Sequence, residues 1–175
     1  LFNFVDELDG QLSVLVNNVA RTDNQSVLEC NLETWNETIN TNLRSYFLCT
    51  REAAKRMKEH DGGEIINVTV SITERSSDSK FAYLTAKGGV DSMTKTAALD
   101  LAPHGIRVNA VGSGLVGTPV GTETMQHRDR ENPRIPIGRI GDPTELAAAV
   151  SFLVSDESSF VVGAKLPVDG GMFIN

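Results

Sequence analysis

Cysteine is scarce: Cys30 and Cys49 are the two in 175 residues. That excludes a disulfide framework, and their spacing suits no metal site. A reducing, cytoplasmic setting is the expectation. Long apolar runs are missing as well. None approaches the roughly 20 residues a membrane-spanning helix needs, and the opening "LFNFVDELDG" has no basic segment leading into an apolar signal core. Positive charge is also in short supply: 16 Lys and Arg stand against 23 Asp and Glu, for a formal charge of −7, with no cluster of basic residues. Neither nucleic acid nor an anionic membrane is an expected partner. The three histidines, His60, His104 and His127, have neither metal-ligand spacing nor a nucleophile motif around them, so no metal is expected.

What is present suits a single globular domain over residues 1–175, with 40% hydrophobic and 22% charged residues. "LSVLVNN" (Leu12 to Asn18), "EIINVTV" (Glu64 to Val70), "IRVNAV" (Ile106 to Val111) and the segment around "AKLPVDGG" are short, apolar and partly β-branched. Such runs predict strands buried on both faces of a parallel sheet. Between them, apolar positions recur at helical spacing. Trp35, Ile39, Leu43, Phe47, Leu48 and Met57 predict a short helix followed by a long one, ended by Asp61-Gly62-Gly63. Ala82 to Leu101 predicts another helix, ended by Pro103 to Gly105. "DPTELAAAVSFLVS" (Asp142 to Ser155) opens with a cap residue and a proline at the first helical position. Strands alternating with helices predict an α/β fold, doubly wound and mainly parallel. Ligands of such sheets bind at the carboxyl ends of the strands. That rim would gather Asn17 and Asn18, Thr69 to Ser71, and Gly112 to Thr118.

"FAYLTAK" places Tyr83 and Lys87 one helical turn apart on one face. A free phenol titrates near pH 10, and an adjacent ammonium stabilises its phenolate, which predicts a tyrosine able to exchange a proton. The same ammonium could hold ribose hydroxyls of a nucleotide.

"LVNNVA", "INTNL", "IINV", "YLTAKGGV", "GIRVNAVGSG" and "PVDGGM" occur in an order and spacing that resembles the short-chain dehydrogenase/reductase family. The likeness runs from about Leu8 to the end and corresponds to that family's carboxyl-terminal two-thirds. It implies a Rossmann-like sheet lacking its first βαβ segment, with NAD or NADP as cofactor. Tyr83 is then the general acid/base, and Lys87 lowers its pKa and binds the nicotinamide ribose. Asn42 matches the asparagine whose main chain holds a water of the proton relay. Asn18 matches the second asparagine of the family's "NNAG", near the adenosine ribose. Val116 and Thr118 in "GLVGTP" match backbone contacts to the nicotinamide carboxamide and phosphates. Asp169-Gly170-Gly171 reads as a structural turn. The resemblance also implies a homodimer or homotetramer built on the two long helices, and a mobile substrate lid from Gly117 to Ile140.

Several positions depart from the pattern. The usual catalytic serine lies thirteen residues before the tyrosine, where this chain has Val70. Thr69 and Ser71 flank it and share a face by strand alternation. Ser71 is the expected substitute, because a loop shortened by one residue costs little while a register slip moves every side chain. "NNAG" has become Asn17-Asn18-Val19-Ala20, and the usual Pro-Gly after the third strand is Ser113-Gly114. Gly112 to Gly117 spells G-x-G-x-x-G, yet a phosphate-binding fingerprint must open a helix, and Thr118-Pro119 follows. It is read as the nicotinamide-end turn. The family's glycine-rich pyrophosphate loop has no counterpart here, and with the apolar spacing at Leu1 this suggests a partial chain. The resulting expectation is an oxidoreductase interconverting a small-molecule alcohol and a carbonyl. The alternative is a catalytically inactive fragment or paralogue acting through protein association.

Overall fold

Four parallel strands form one sheet in the order β1-β2-β3-β4. In this computed structural model, which describes residues 1–74, 79–117 and 135–174, they are β1 (Val14–Asn17), β2 (Gly63–Val70), β3 (Ile106–Ser113) and β4 (Lys165–Val168). The two central strands are the longest, and their aliphatic side chains explain why. Ile65 and Val108 are enclosed on one face with Ala53, Met57 and Ala98, while Ile66 and Val111 are enclosed on the other with Leu153. Alternation along each strand thus supplies two cores, and each large aliphatic side chain buried there contributes about 1.5–3 kcal/mol. Val14 and Val16 stay exposed at the β1 edge. β1 is accordingly shorter than the apolar run that predicted it.

After a short α1 (Phe2–Val5), the helices are α2 (Leu32–Ile39), α3 (Ser45–Met57), α4 (Phe81–Leu101) and α5 (Pro143–Leu153). The Asn31 side chain caps α2 by accepting from the Thr34 amide at 2.9 Å. Asp142 and Glu145 form a reciprocal capping box on α5. The predicted short and long helices turn out to be joined without a break. A π-helical turn, Asn40–Arg44, carries α2 into α3, a widening often found at functional sites. Helices cover both faces of the sheet, as the doubly wound class requires.

Buried amides tie the strand ends together. Asn17 donates to Asn67 Oδ1 at 2.9 Å and to Thr50 Oγ1 at 3.3 Å, and Asn67 donates to Thr94 Oγ1 at 3.0 Å. This chain links β1 and β2 to α3 and α4, so that the polar strand ends sit beneath the same two helices. Glycine matters at Gly114, where a Cβ would lie 2.6 Å from the Asp169 Cα. The close approach of the two chain segments following β3 and β4 needs that residue. Asp169 then accepts from the amides of Gly171 and Phe173 at 2.9 and 2.8 Å, with Gly170 and Gly171 at φ of 62° and 86°. The turn is structural, as expected.

Candidate active site

Lys87 is the centre of the arrangement. It lies in the second turn of α4 and is 2% exposed, an unusual position for an ammonium unless its donors are satisfied. Its Nζ donates to the Val68 carbonyl at 2.7 Å and to Tyr46 Oη at 3.2 Å. The same Nζ lies 4.9 Å from the centroid of the Tyr46 ring, within cation-π range. Burial pulls the ammonium down to about pKa 8, partly offset by the Asp91 carboxylate one turn further along α4.

Tyr83 sits half-buried on the first turn of α4. The sequence predicted a phenol lowered by Lys87; instead burial pushes Tyr83 up to about 12. The Lys87 ammonium, for its part, is directed at Tyr46 and Val68. Lys80 Nζ lies 5.8 Å from the Tyr83 ring centroid. The helix end carrying Tyr83 is fixed from elsewhere in the chain. Lys80, the residue preceding α4, makes no side-chain cap; the buried Asp23 carboxylate accepts from the Ala82 and Tyr83 amides at 3.2 and 3.3 Å, and the Gln25 carbonyl accepts from the Phe81 amide at 3.1 Å. A carboxylate there also complements the positive end of the helix dipole.

The hydroxyls near the end of β2 divide cleanly. Thr69 is buried and donates to the Lys87 carbonyl at 3.4 Å, which commits it to α4. Val70 offers no donor. Ser71 opens a 3-10 turn, Ser71–Glu74, and its Oγ is buried with no hydrogen-bond partner among the described residues. An unpaired buried hydroxyl costs roughly 1–3 kcal/mol, and such orphans call for a ligand or a role. Ser71 has no exposed surface, so a carbonyl reaches it only by displacing what covers it.

Asn42 lies in the π turn, fully buried. Its side chain accepts from the Arg21 amide at 2.9 Å and donates to the carbonyls of Arg21 and Thr38 at 2.7 and 3.0 Å. The side chain is spent on structure, which leaves the main chain for any part in catalysis. Asn18 is exposed at the tip of β1; Asn17, not Asn18, ties the strands together. Val116 forms a bridge to Gly141 in which Gly117 donates to the Gly141 carbonyl and Gly141 donates to the Leu115 carbonyl, each at 2.9 Å. In a parallel bridge this leaves the amide and carbonyl of Val116 itself on the opposite edge. Gly112 and Ser113 belong to β3 and no helix opens within Gly112 to Gly117, whereas a phosphate fingerprint opens a helix. Thr118, and most of the expected lid from Gly117 to Ile140, lie outside the described residues. No group of three or more His, Cys, Asp or Glu side chains could hold a metal among the described residues.

Tyr46 and Asp23 were not singled out from sequence. Tyr46 follows Asn42 by one helical turn, a spacing that places both on one helix face. Asp23 carries no local signal, since its partners lie about 60 residues away.

The family model described as enoyl-(acyl carrier protein) reductase matches residues 1–173. The chain belongs to the short-chain dehydrogenase/reductase family. It is 40% identical over 167 residues to a 3-oxoacyl-(acyl-carrier-protein) reductase of Thermotoga maritima, covering 94% of this chain and 68% of that protein. It is 38% identical over 173 residues to an L-rhamnose 1-dehydrogenase (NAD(P)(+)) of Azotobacter vinelandii, covering 97% and 68%. The ligand-free aldohexose dehydrogenase of Thermoplasma acidophilum superposes with a TM-score of 0.90 at 31% identity, covering 99% of this chain and 72% of that one. The chain is therefore similar to NAD(P)-dependent oxidoreductases acting on small molecules, and NAD or NADP is the family's cofactor. The residues present fit such a group in two respects: among the described residues, a tethered ammonium at Lys87 with a donor to spare, and a backbone edge at Val116 without a partner.

Proposed function

We propose that this protein interconverts an alcohol and a carbonyl using NAD or NADP, with Tyr83 as the general acid/base. The observation that carries the reading is the buried, tethered ammonium of Lys87 one turn from Tyr83. A phenol that keeps its proton across neutral pH is a donor ready to protonate the oxygen of a carbonyl as hydride arrives at its carbon. The nearby ammonium then stabilises the phenolate left behind. Lys87 keeps one N–H for a ribose hydroxyl of the cofactor. Asn42 contributes through its main chain, and Ser71 supplies the hydroxyl that polarises the carbonyl. On the cofactor side, Asn18 lies beside the adenosine ribose, while Val116 and Thr118 meet the nicotinamide end through their backbone.

Apolar side chains exposed on the long helices, Phe47 and Leu48 on α3 and Leu99 on α4, support a homodimer or homotetramer formed on those faces. The free thiols of Cys30 and Cys49 suit a reducing, cytoplasmic setting. One observation favours an inactive chain acting through association: Val70 stands where a serine is usual, and Ser71 has no exposed surface. Tyr83→Phe decides between the two. Its hydroxyl has no hydrogen-bond partner among the described residues, so the fold should be unaffected. Loss of carbonyl reduction by about 10²–10⁴-fold is expected if Tyr83 transfers the proton. Unchanged turnover in the variant would remove Tyr83 from the chemistry, and absence of turnover in the parent chain would favour the inactive reading.

A further inference from the structure

The sequence contains two tyrosines, and one ammonium, that of Lys87, lies on the helix of one and bonds the other. Tyr83 lies one turn from Lys87 on α4, and Tyr46 reaches it from α3. Tyr46 is 2% exposed and its hydroxyl is used twice, donating to the Val68 carbonyl at 3.2 Å and accepting from Lys87 Nζ at 3.2 Å. Satisfying the hydroxyl alone would require only the first bond. The second commits a neutral oxygen to an ammonium, and the ring lies within cation-π range of the same Nζ.

We propose that Tyr46 is a positioning residue for Lys87: with the Val68 carbonyl it holds two of the three N–H donors of the ammonium, leaving the third for a ribose hydroxyl of the cofactor. This rests on the reading of Tyr83 and Lys87 as the reacting pair. Tyr46 itself does not transfer the proton. Burial and the nearby Tyr83 phenol push it far above the ordinary phenol range, so that it remains a neutral hydroxyl. The other ionisable groups around Lys87 are Tyr83 and Asp91 on its own helix, with Lys165 of β4 paired to Asp91. Thr69 and Val68 of β2 contribute no charge.

The test uses the chain labelled with 13C-lysine and, separately, with 3-fluorotyrosine, whose two 19F resonances are assigned by Tyr46→Phe and Tyr83→Phe. Removing the acceptor at Tyr46 disfavours the charged ammonium. The Lys87 midpoint should therefore move below its value near 8 by about half a unit or more, and the alkaline limb of the activity profile should move with it. Cofactor KM should rise about 3–10-fold with substrate KM unchanged. A Lys87 titration identical in Tyr46→Phe and the parent would overturn the proposal, whatever happened to melting temperature. Should Tyr46→Phe not fold, the parent decides: the Tyr46 19F signal must follow the Lys87 titration, and a signal indifferent to it sinks the idea. Retained activity in Tyr83→Phe would instead refute the acid/base reading and leave the Tyr46 result standing.

Discussion

Lys87 Nζ meets the Val68 carbonyl at 2.7 Å, joining α4 to the third residue from the end of β2. The contact holds the ammonium where the sheet ends, at the rim where parallel sheets bind their ligands. It is obtained against the cost of burying a charge. The drop from 10.5 to about 8 corresponds to roughly 3 kcal/mol of destabilisation of the charged form.

The sign of that cost sets a pH dependence. Below pH 8 Lys87 is charged in both folded and unfolded chains, and the folded state bears the full penalty. Between pH 8 and 10.5 the unfolded chain binds the proton more tightly, so this group's contribution to stability rises with pH. Tyr83, raised to about 12, acts in the opposite sense, adding stability that is lost as pH climbs from 10 through 12. In Lys87→Met the first effect disappears, while Tyr46 still donates to Val68. Melting temperatures across pH 7–10 should show the parent gaining on the variant as pH rises. A constant difference between the two would show that Lys87 is not desolvated as described.

Ser71→Ala separates stability from catalysis. Deleting an unpaired buried hydroxyl should leave the fold unchanged or raise its stability by about 1 kcal/mol. If Ser71 polarises the substrate carbonyl, the same substitution lowers kcat by about 10²-fold or more. Denaturant melts paired with steady-state kinetics read both quantities. A more stable variant with undiminished kcat would assign Ser71 to packing and leave the carbonyl without a side-chain donor from this loop.

Much of the fold was legible because buried parallel strands and amphipathic helices each write their period into the chain. Ile65, Ile66, Val108 and Val111 are all apolar because both faces of β2 and β3 are covered. The Asp142-Pro143 start of α5 carried its own cap signal. The π turn at Asn40–Arg44 was not legible, since its residues continue the helical spacing without a breaker. At the site, the placement of Tyr83 and Lys87 one turn apart on α4 followed from local spacing. The direction of the Lys87 ammonium did not, because its partners Tyr46 and Val68 come from α3 and β2. Nor could spacing foretell that Thr69 would bond α4 while Ser71 remained unpaired; that depends on how β2 ends beneath the helix.

Behind Ser71 lies a second, partly buried cation. Lys165 Nζ pairs with Asp91 Oδ2 at 2.8 Å and with Thr73 Oγ1 at 2.6 Å, and Thr73 donates to the same Asp91 oxygen at 2.5 Å. Both ionic side chains are 15% exposed. The cluster binds β4 and α4 to the 3-10 turn that begins at Ser71, so it fixes that turn through Thr73. Removing one charge leaves the other largely enclosed without its partner, and Asp91 Oδ1 already lacks one among the described residues. Lys165→Met should therefore destabilise the chain by about 3–5 kcal/mol. Lys165→Met with Asp91→Leu removes both charges and should recover most of that loss, because an apolar pair of similar volume needs no desolvation. Urea unfolding of the parent, both single variants and the double variant gives the coupling directly. Additive losses in the double variant would show that the two side chains contribute independently and that the turn is held by something else.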